Sequence, residues 1–241
     1  MAIQITDTIE QKEVARIREK GLAINRALTD YYGPPPPRHH YDPLSTLVLT
    51  VLTQHTSDVN AERAFESLVR AFPSWEAVRD AGVQEIAQAI RPAGLSNVKA
   101  PRIKEILQRI SDLNGKLNLD FLHTLDSEKA RAWLLALKGV GPKTAACVLI
   151  FSLGKPAMPV DTHVHRVCCR VGLVGPKVTA EHAQEILESV LPPEDQRSFH
   201  VNVITHGRKI CKAQLPLCSE CPINHLCDWA ANSCQPQPLP N

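Results

Sequence analysis

Apolar residues recur along this chain three and four positions apart, and no useful stretch alternates with period two, so the elements predicted are helices. Val14, Ile17, Ile24 and Leu28, with Gly21 between, trace one face of an amphipathic helix over residues 13–28. The helix is expected to stop there. Tyr31-Tyr32-Gly33 and the four prolines from Pro34 to Pro37 call for an extended connector, with a domain crossing at 38–42. Residues 44–53 are almost wholly apolar, and Ala61, Ala64, Phe65, Leu68, Val69 and Phe72 trace the next stripe, with Thr56, Ser57 or Asp58 available to cap it. Ile103, Ile106, Leu107, Ile110 and Leu113 form another face, closed by Asn114-Gly115 as a left-handed stop. Asp126 or Ser127 caps the helix that ends in the run 133–137; further runs cover 143–151, 162–171 and 183–190, the last stopped by Leu191-Pro192-Pro193. The chain is predicted to be all-α.

Between the runs 133–137 and 143–151 stands Gly139-Val140-Gly141, followed by Pro142. Two glycines permit positive φ and close approach of a partner, and proline suits the first turn of a helix. Uncapped N–H groups at such a turn make a natural seat for a phosphate; an ordinary turn between two helices is the plain alternative. Lys143 follows two residues after the second glycine, and Asp161 lies eighteen residues further on in Val160-Asp161-Thr162-His163. A lysine beside a phosphate-gripping turn is either a phosphate contact or, once deprotonated, an amine nucleophile. Asp161 is either its carboxylate partner or the N-cap of the run 162–171. Two loops also draw notice. Gln54-His55-Thr56-Ser57-Asp58 is a polar link between helices, and Leu95 sits on a glycine-led loop, where it is either buried or an apolar wedge.

The 241 residues carry a formal net charge of only +2, so a nucleic-acid partner is permitted and its charge must be local. The opening residues lack the apolar core of a secretory signal, and the apolar run 145–151 is too short to span a bilayer; a cytoplasmic, nucleoid-associated protein is expected. Of eight cysteines, Cys147, Cys168 and Cys169 fall on helical runs and read as core. Cys211, Cys218, Cys221 and Cys227 are spaced C-x6-C-x2-C-x5-C. Four thiolates so close form a soft-metal cage for zinc or an iron–sulfur cluster.

The stretch from Leu137 to Arg166 resembles the helix-hairpin-helix and Gly/Pro…Asp motif of the endonuclease III family of DNA glycosylases, a likeness that runs from Asp42 through Cys227. The resemblance implies a two-domain architecture: a helical barrel at 42–155, a cluster domain made of 1–41 with 156–234, and a disordered tail at 235–241. It implies that Lys143 attacks the sugar C1′ with help from Asp161, that Gln54 and Leu95 fill the gap left by an extruded nucleotide, and that Gly139 and Gly141 grip phosphate. It implies a [4Fe-4S] cluster on Cys211, Cys218, Cys221 and Cys227; Arg208, Lys209 and Lys212 stand beside the first of these cysteines and are expected contacts to DNA phosphates.

The activity so implied is a bifunctional glycosylase and abasic-site lyase, acting as a monomer on duplex DNA with oxidised pyrimidines or abasic sites. A monofunctional glycosylase and a weakly active DNA-binding paralogue are the alternatives. The chain departs from its relatives in two ways: Pro142 stands where a basic residue is common, and 213–217 contains no basic residue.

Overall fold

The computed structural model describes residues 2–37 and 41–233, with side chains over 11–37 and 41–231. Helices and short turns make up the ordered backbone, and no strand occurs among the described residues. The chain divides into two compact units, one formed by Met1–Pro37 with Pro156–Asn241 and the other by Arg38–Lys155. The tail expected to be disordered, 235–241, lies outside the described residues, as do 38–40 of the expected crossing.

The unit with both termini is built on α1 (Ala2–Tyr32), α9 (Thr162–Val171), α10 (Ala180–Val190), α11 (Pro193–Lys209) and α12 (Asp228–Ser233). Helix α11 packs on both α1 and α9, and α12 packs on α9. Ile24, Leu28, Val164, Val167, Leu187 and Phe199 meet in one core, where each buried aliphatic or aromatic side chain contributes about 1.5–3 kcal/mol. Helix α1 outruns the expected stop at residue 28. It continues to Tyr32 because that ring packs against the core, and the chain turns only at Gly33, φ +83°.

Helix α11 is the element that periodicity leaves hidden. Its inward face carries Gln196, His200, Asn202 and His206, all buried, which read as surface until their partners are known. Gln196 Nε2 donates to Leu191 O at 3.2 Å, and Asn202 Nδ2 donates to Asn25 Oδ1 and Thr29 Oγ1, each at 2.8 Å. His200 Nδ1 lies 2.8 Å from Pro159 O. A buried polar group with a partner costs little, whereas one without costs the full desolvation penalty.

The other unit contains α2 (Pro43–Leu52), α3 (Asp58–Ala71), α4 (Trp75–Asp80), α5 (Val83–Ala89), α6 (Ser96–Asn114), α7 (Ser127–Leu135) and α8 (Pro142–Cys147). Helix α2 is capped by Asp42, whose Oδ1 accepts from Leu44 N and Ser45 N at 3.0 Å, and it packs against α3, α6 and α8. Ser57 caps α3 and Asp126 caps α7. Gly115 closes α6 at φ +68°. Val14, Val69 and Leu113, counted on apolar stripes by spacing, are exposed: they stand at the margins of their stripes, where no neighbouring helix covers them. The run predicted at 143–151 is helical but not uniform, for α8 passes into a π-helical turn over Val148–Ser152.

One polar side chain holds two element ends of this unit together. Lys99, on α6, is 2 % exposed, and its Nζ donates to Leu52 O and Ala93 O, each at 2.8 Å. Leu52 ends α2 and Ala93 ends a 3-10 turn, so both carbonyls belong to the group a helix end leaves unsatisfied, at its negative pole. Burial pushes the Lys99 ammonium below its ordinary pKa, and the two carbonyls favour the charged form. Lys99→Met keeps the stem and deletes the ammonium, so two buried carbonyls lose their donor. We expect a loss of about 2–4 kcal/mol in urea unfolding at neutral pH; a loss within error of zero would show that Lys99 ties nothing.

Candidate nucleic-acid interface and thiol centre

The hairpin between α7 and α8 is anchored from below by Val140, which is buried and donates its N–H to Leu137 O at 3.0 Å. Above it Gly139, Gly141 and Pro142 are exposed. Gly139 needs its lack of a side chain twice: φ is +87°, and a Cβ there would stand 3.2 Å from Arg102 Cγ and Cδ. Gly141 is the N-cap of α8 and offers no side-chain cap, which leaves the first N–H groups of that helix to an outside acceptor. Lys143 lies half-buried in this first turn. The predicted cradle and lysine are therefore adjacent, on one short element over a rigid apolar floor of Ala145, Ala146 and Val148.

The two predicted wedge loops meet the same helix, α6. Leu95 precedes it in a left-handed conformation, φ +47° and ψ 33°, and is 55 % exposed, which settles the choice between buried and exposed leucine. Val98, one turn later, is also exposed. Gln54 follows α2, and its Oε1 accepts from Arg102 Nη1 at 2.7 Å. His55, next to it, has φ +53°. His55 and Leu95 are the non-glycine residues of positive φ among the described residues, one in each loop, and such strain persists only where the surroundings impose it. Lys99 bonds the carbonyl two residues before each wedge side chain, Leu52 for Gln54 and Ala93 for Leu95.

In the other unit, Asp161 is the N-cap of α9. Its Oδ1 accepts from His163 N at 2.9 Å and Val164 N at 2.8 Å, so the capping role is real and is met by a single oxygen. Helix α9 then supplies two arginines one turn apart. Arg166 donates to Cys211 O at 3.0 Å and Gly207 O at 2.7 Å. Arg170 donates to Cys211 Sγ at 3.3 Å, Lys212 O at 2.7 Å and Ala213 O at 2.9 Å, beneath the Trp229 ring at 5.2 Å.

Cys211, Cys218, Cys221 and Cys227 line one cavity with Arg170 and His206, and none of the four is in a disulfide. Among the described residues no three His, Cys, Asp or Glu groups are gathered closely enough to hold a single metal ion. The thiols surround a volume instead. His206 Nε2 lies 3.5 Å from Cys221 Sγ and its Nδ1 lies 3.1 Å from Tyr32 Oη. Burial lowers the His206 pKa to about 4, so the ring is neutral near pH 7 and carries one N–H. Burial pushes the Cys221 thiol up to about 11, opposed by a backbone hydrogen bond from Ile223 and helped by the neighbouring Cys227, Cys211 and Cys218; thiolates there call for a compensating cation. Of the predicted basic contacts, Arg208, Lys209 and Lys212 are exposed, and the Lys209 ammonium lies 5.3 Å from the centre of the Tyr32 ring.

Spacing did not single out Lys99, Arg102, Arg166, Arg170 or His206. Lys99 alone left a signal: it stands in phase with Ile103, Ile106 and Ile110 on the apolar stripe of α6, where a lysine must either be buried or break the stripe.

Comparison with known proteins accords with this geometry. Residues 48–193 match the model of the HhH-GPD superfamily of base excision DNA repair proteins. Endonuclease III of Thermotoga maritima is 36% identical over 195 residues, covering 80% of this chain and 87% of that one, and endonuclease III of Sulfolobus acidocaldarius is 34% identical over 187 residues, covering 77% and 81%. A relative from Arabidopsis thaliana whose name marks it as a candidate DNA glycosylase is 37% identical, and the match covers 64% of its length. Among solved structures, a trapped covalent endonuclease III–DNA intermediate superposes with a TM-score of 0.78 at 27% identity, over 90% of this chain and 99% of that one. No helix among the described residues is long and apolar enough to cross a membrane. The all-helical fold, the glycine hairpin with its lysine and the extent of these matches together make the chain a member of the HhH-GPD superfamily of base excision DNA repair proteins, related to endonuclease III.

Proposed function

We propose that this protein is a DNA glycosylase and abasic-site lyase that removes oxidised pyrimidines from duplex DNA through Lys143. The observation that carries the reading is the placement of that lysine in the first turn of α8, directly after an exposed glycine hairpin with no side-chain cap. The hairpin N–H groups hold a backbone phosphate, and the damaged nucleotide leaves the stack while Gln54 and Leu95 occupy its place. The neutral Lys143 amine attacks C1′, and the base departs with the bonding electrons and a proton. The C1′ aminal so formed opens the sugar as the C1′–O4′ bond breaks and O4′ takes up a proton, leaving an iminium between Lys143 and C1′; loss of a C2′ proton then expels the 3′ phosphate. Asp161 serves as the carboxylate of the reaction, since its cap bonds occupy Oδ1 alone.

Cys211, Cys218, Cys221 and Cys227 hold a [4Fe-4S] cluster in this reading, supported by four cysteines outside any disulfide around one cavity and by the Arg170 N–H on the Cys211 sulfur. When bound, such a cluster supplies a fourfold covalent staple to a loop poor in apolar contacts. Arg166 and Arg170 fix the first part of that loop by four hydrogen bonds from α9, with a fifth to Gly207 O in α11. A slower, monofunctional or DNA-binding role is favoured by one observation, the lack of any basic residue at 213–217, which weakens the phosphate grip.

Borohydride reduction in the presence of duplex DNA carrying an abasic site or thymine glycol tests the chemistry. The intact protein is expected to form a covalent adduct and Lys143→Ala to form none; binding without any adduct from intact protein would favour the monofunctional reading.

Asp161 needs a pair of variants because it has two jobs. Asp161→Asn preserves a good cap, so melting should stay near that of the parent while strand cleavage falls at least tenfold, whereas Asp161→Ala should in addition lose about 1 kcal/mol of stability. Equal cleavage by Asp161→Asn and the parent would remove Asp161 from the reaction. For the thiol centre, anaerobically purified protein should contain iron and labile sulfide in equal amounts and show a visible chromophore that Cys221→Ser diminishes; stoichiometric zinc without colour would overturn the cluster assignment.

A further inference from the structure

A phosphate seated on the glycine hairpin brings a full negative charge, whereas the N–H groups of a helix start offer only partial positive ones. The residues of the hairpin supply no lasting cation. Pro142 is neutral, and Lys143 must be without its proton when it attacks in the reading above. Lys138 lies 2.8 Å from Glu105 and its side chain is 83 % exposed, so its charge is partly cancelled and its stem is not fixed.

Arg102 reaches the hairpin from α6 and differs on each count. A guanidinium stays charged at any working pH. The stem occupies the space that a side chain at Gly139 would need: a Cβ there would stand 3.2 Å from Cγ and Cδ and 3.3 Å from Nε. At the far end Nη1 donates to Gln54 Oε1 at 2.7 Å, and that neutral amide leaves the charge uncancelled. The nearest acidic residue along α6, Glu105, is the one that faces Lys138. Arg102 is half-buried and held at its stem and at one nitrogen. Its other N–H donors remain in a planar fork that suits two oxygens of a phosphate.

We propose that Arg102 is the cation of the hairpin site: one backbone phosphate of DNA sits between the first N–H groups of α8 and the Arg102 guanidinium. The proposal rests on the phosphate-gripping role of the hairpin in the reading above and adds the residue that supplies its charge. On this account Gly139 lacks a side chain for the sake of Arg102 as well as of its own φ of +87°.

The test is equilibrium binding of the intact, cluster-loaded chain to a duplex with a tetrahydrofuran abasic analogue, at a series of salt concentrations and with single phosphates replaced in turn by neutral methylphosphonates. Arg102→Met keeps the stem against Gly139 and deletes the charge. It should bind about tenfold more weakly, the lower end of the worth of a hydrogen bond to a charged group, and its slope of log affinity on log salt should be shallower by about one. One methylphosphonate should weaken the intact protein, and Arg102→Met should lose about tenfold less than the parent at that same phosphate, because the two changes delete one contact. Arg102→Gln, polar but neutral, carries the same expectation should Arg102→Met not fold, and Arg102→Lys should keep the parent's slope. If Arg102 serves only to hold Gln54, affinity falls with an unchanged slope and the losses at every phosphate multiply; either result would overturn the proposal. Binding is read instead of excision, so a negative borohydride trap would sink the lyase chemistry and leave this test standing. An intact protein indifferent to every methylphosphonate would sink the phosphate cradle itself, whereas sensitivity without coupling to Arg102 would sink this inference alone.

Discussion

The ammonium of Lys99, out of reach of water, is the constraint on which the reading surface of the middle unit depends. It satisfies two carbonyls that end different elements, Leu52 O and Ala93 O, and each carbonyl is two residues upstream of a predicted wedge side chain. A single charge thus sets the take-off points of both loops. Their left-handed residues, His55 and Leu95, sit in conformations that a non-glycine residue does not choose alone, and a loop free to relax would abandon them. Three residues further along α6, Arg102 joins the Gln54 loop to the glycine hairpin by a hydrogen bond on one side and packing on the other. One helix therefore supports both predicted wedge loops and the proposed phosphate cradle, which is what preorganised recognition would require.

The terminal unit solves a different problem by similar means. Its cysteine loop after α11 has little apolar area of its own, and Leu215 at its tip is 79 % exposed. Order comes from α9, whose Arg166 and Arg170 donate to three backbone carbonyls of the loop, to Gly207 O just before it and to the Cys211 sulfur. These arginines are committed to structure, and the Lys209 ammonium sits over the Tyr32 ring. Beside this loop, Arg208 and Lys212 remain exposed. The proposed recognition leans on hairpin amides and apolar insertion more than on Arg166 and Arg170.

Asp161 shows how one residue can cap a helix and still keep an oxygen for the proposed chemistry. A carboxylate has two oxygens; the cap bonds both fall on Oδ1, so the helix is begun with Oδ2 uncommitted. The two readings open from spacing, cap or chemistry, turn out to be compatible demands on different atoms.

From the amino-acid order alone, the helical class, the glycine hairpin, the lysine that follows it, the cysteine spacing and the caps and stops at Asp126, Asp161 and Gly115 could be read, because each is a short-range matter of periodicity, backbone freedom or ligand chemistry. Tertiary structure decided the rest. Helix α11 escaped notice since its buried face is written in Gln196, His200, Asn202 and His206, and a polar residue counts as core only once a partner such as Asn25 or Pro159 O has been brought to it. Tyr32 extended α1 past its expected end for the same reason, packing against a core that folding assembles. Leu95 was undecided between core and surface until α6 was placed, and Arg102 had no legible role, because its two contacts lie 48 and 37 residues away along the chain. Spacing reports what a residue can do locally; which donors meet which acceptors across the fold depends on distances that only the packed chain defines.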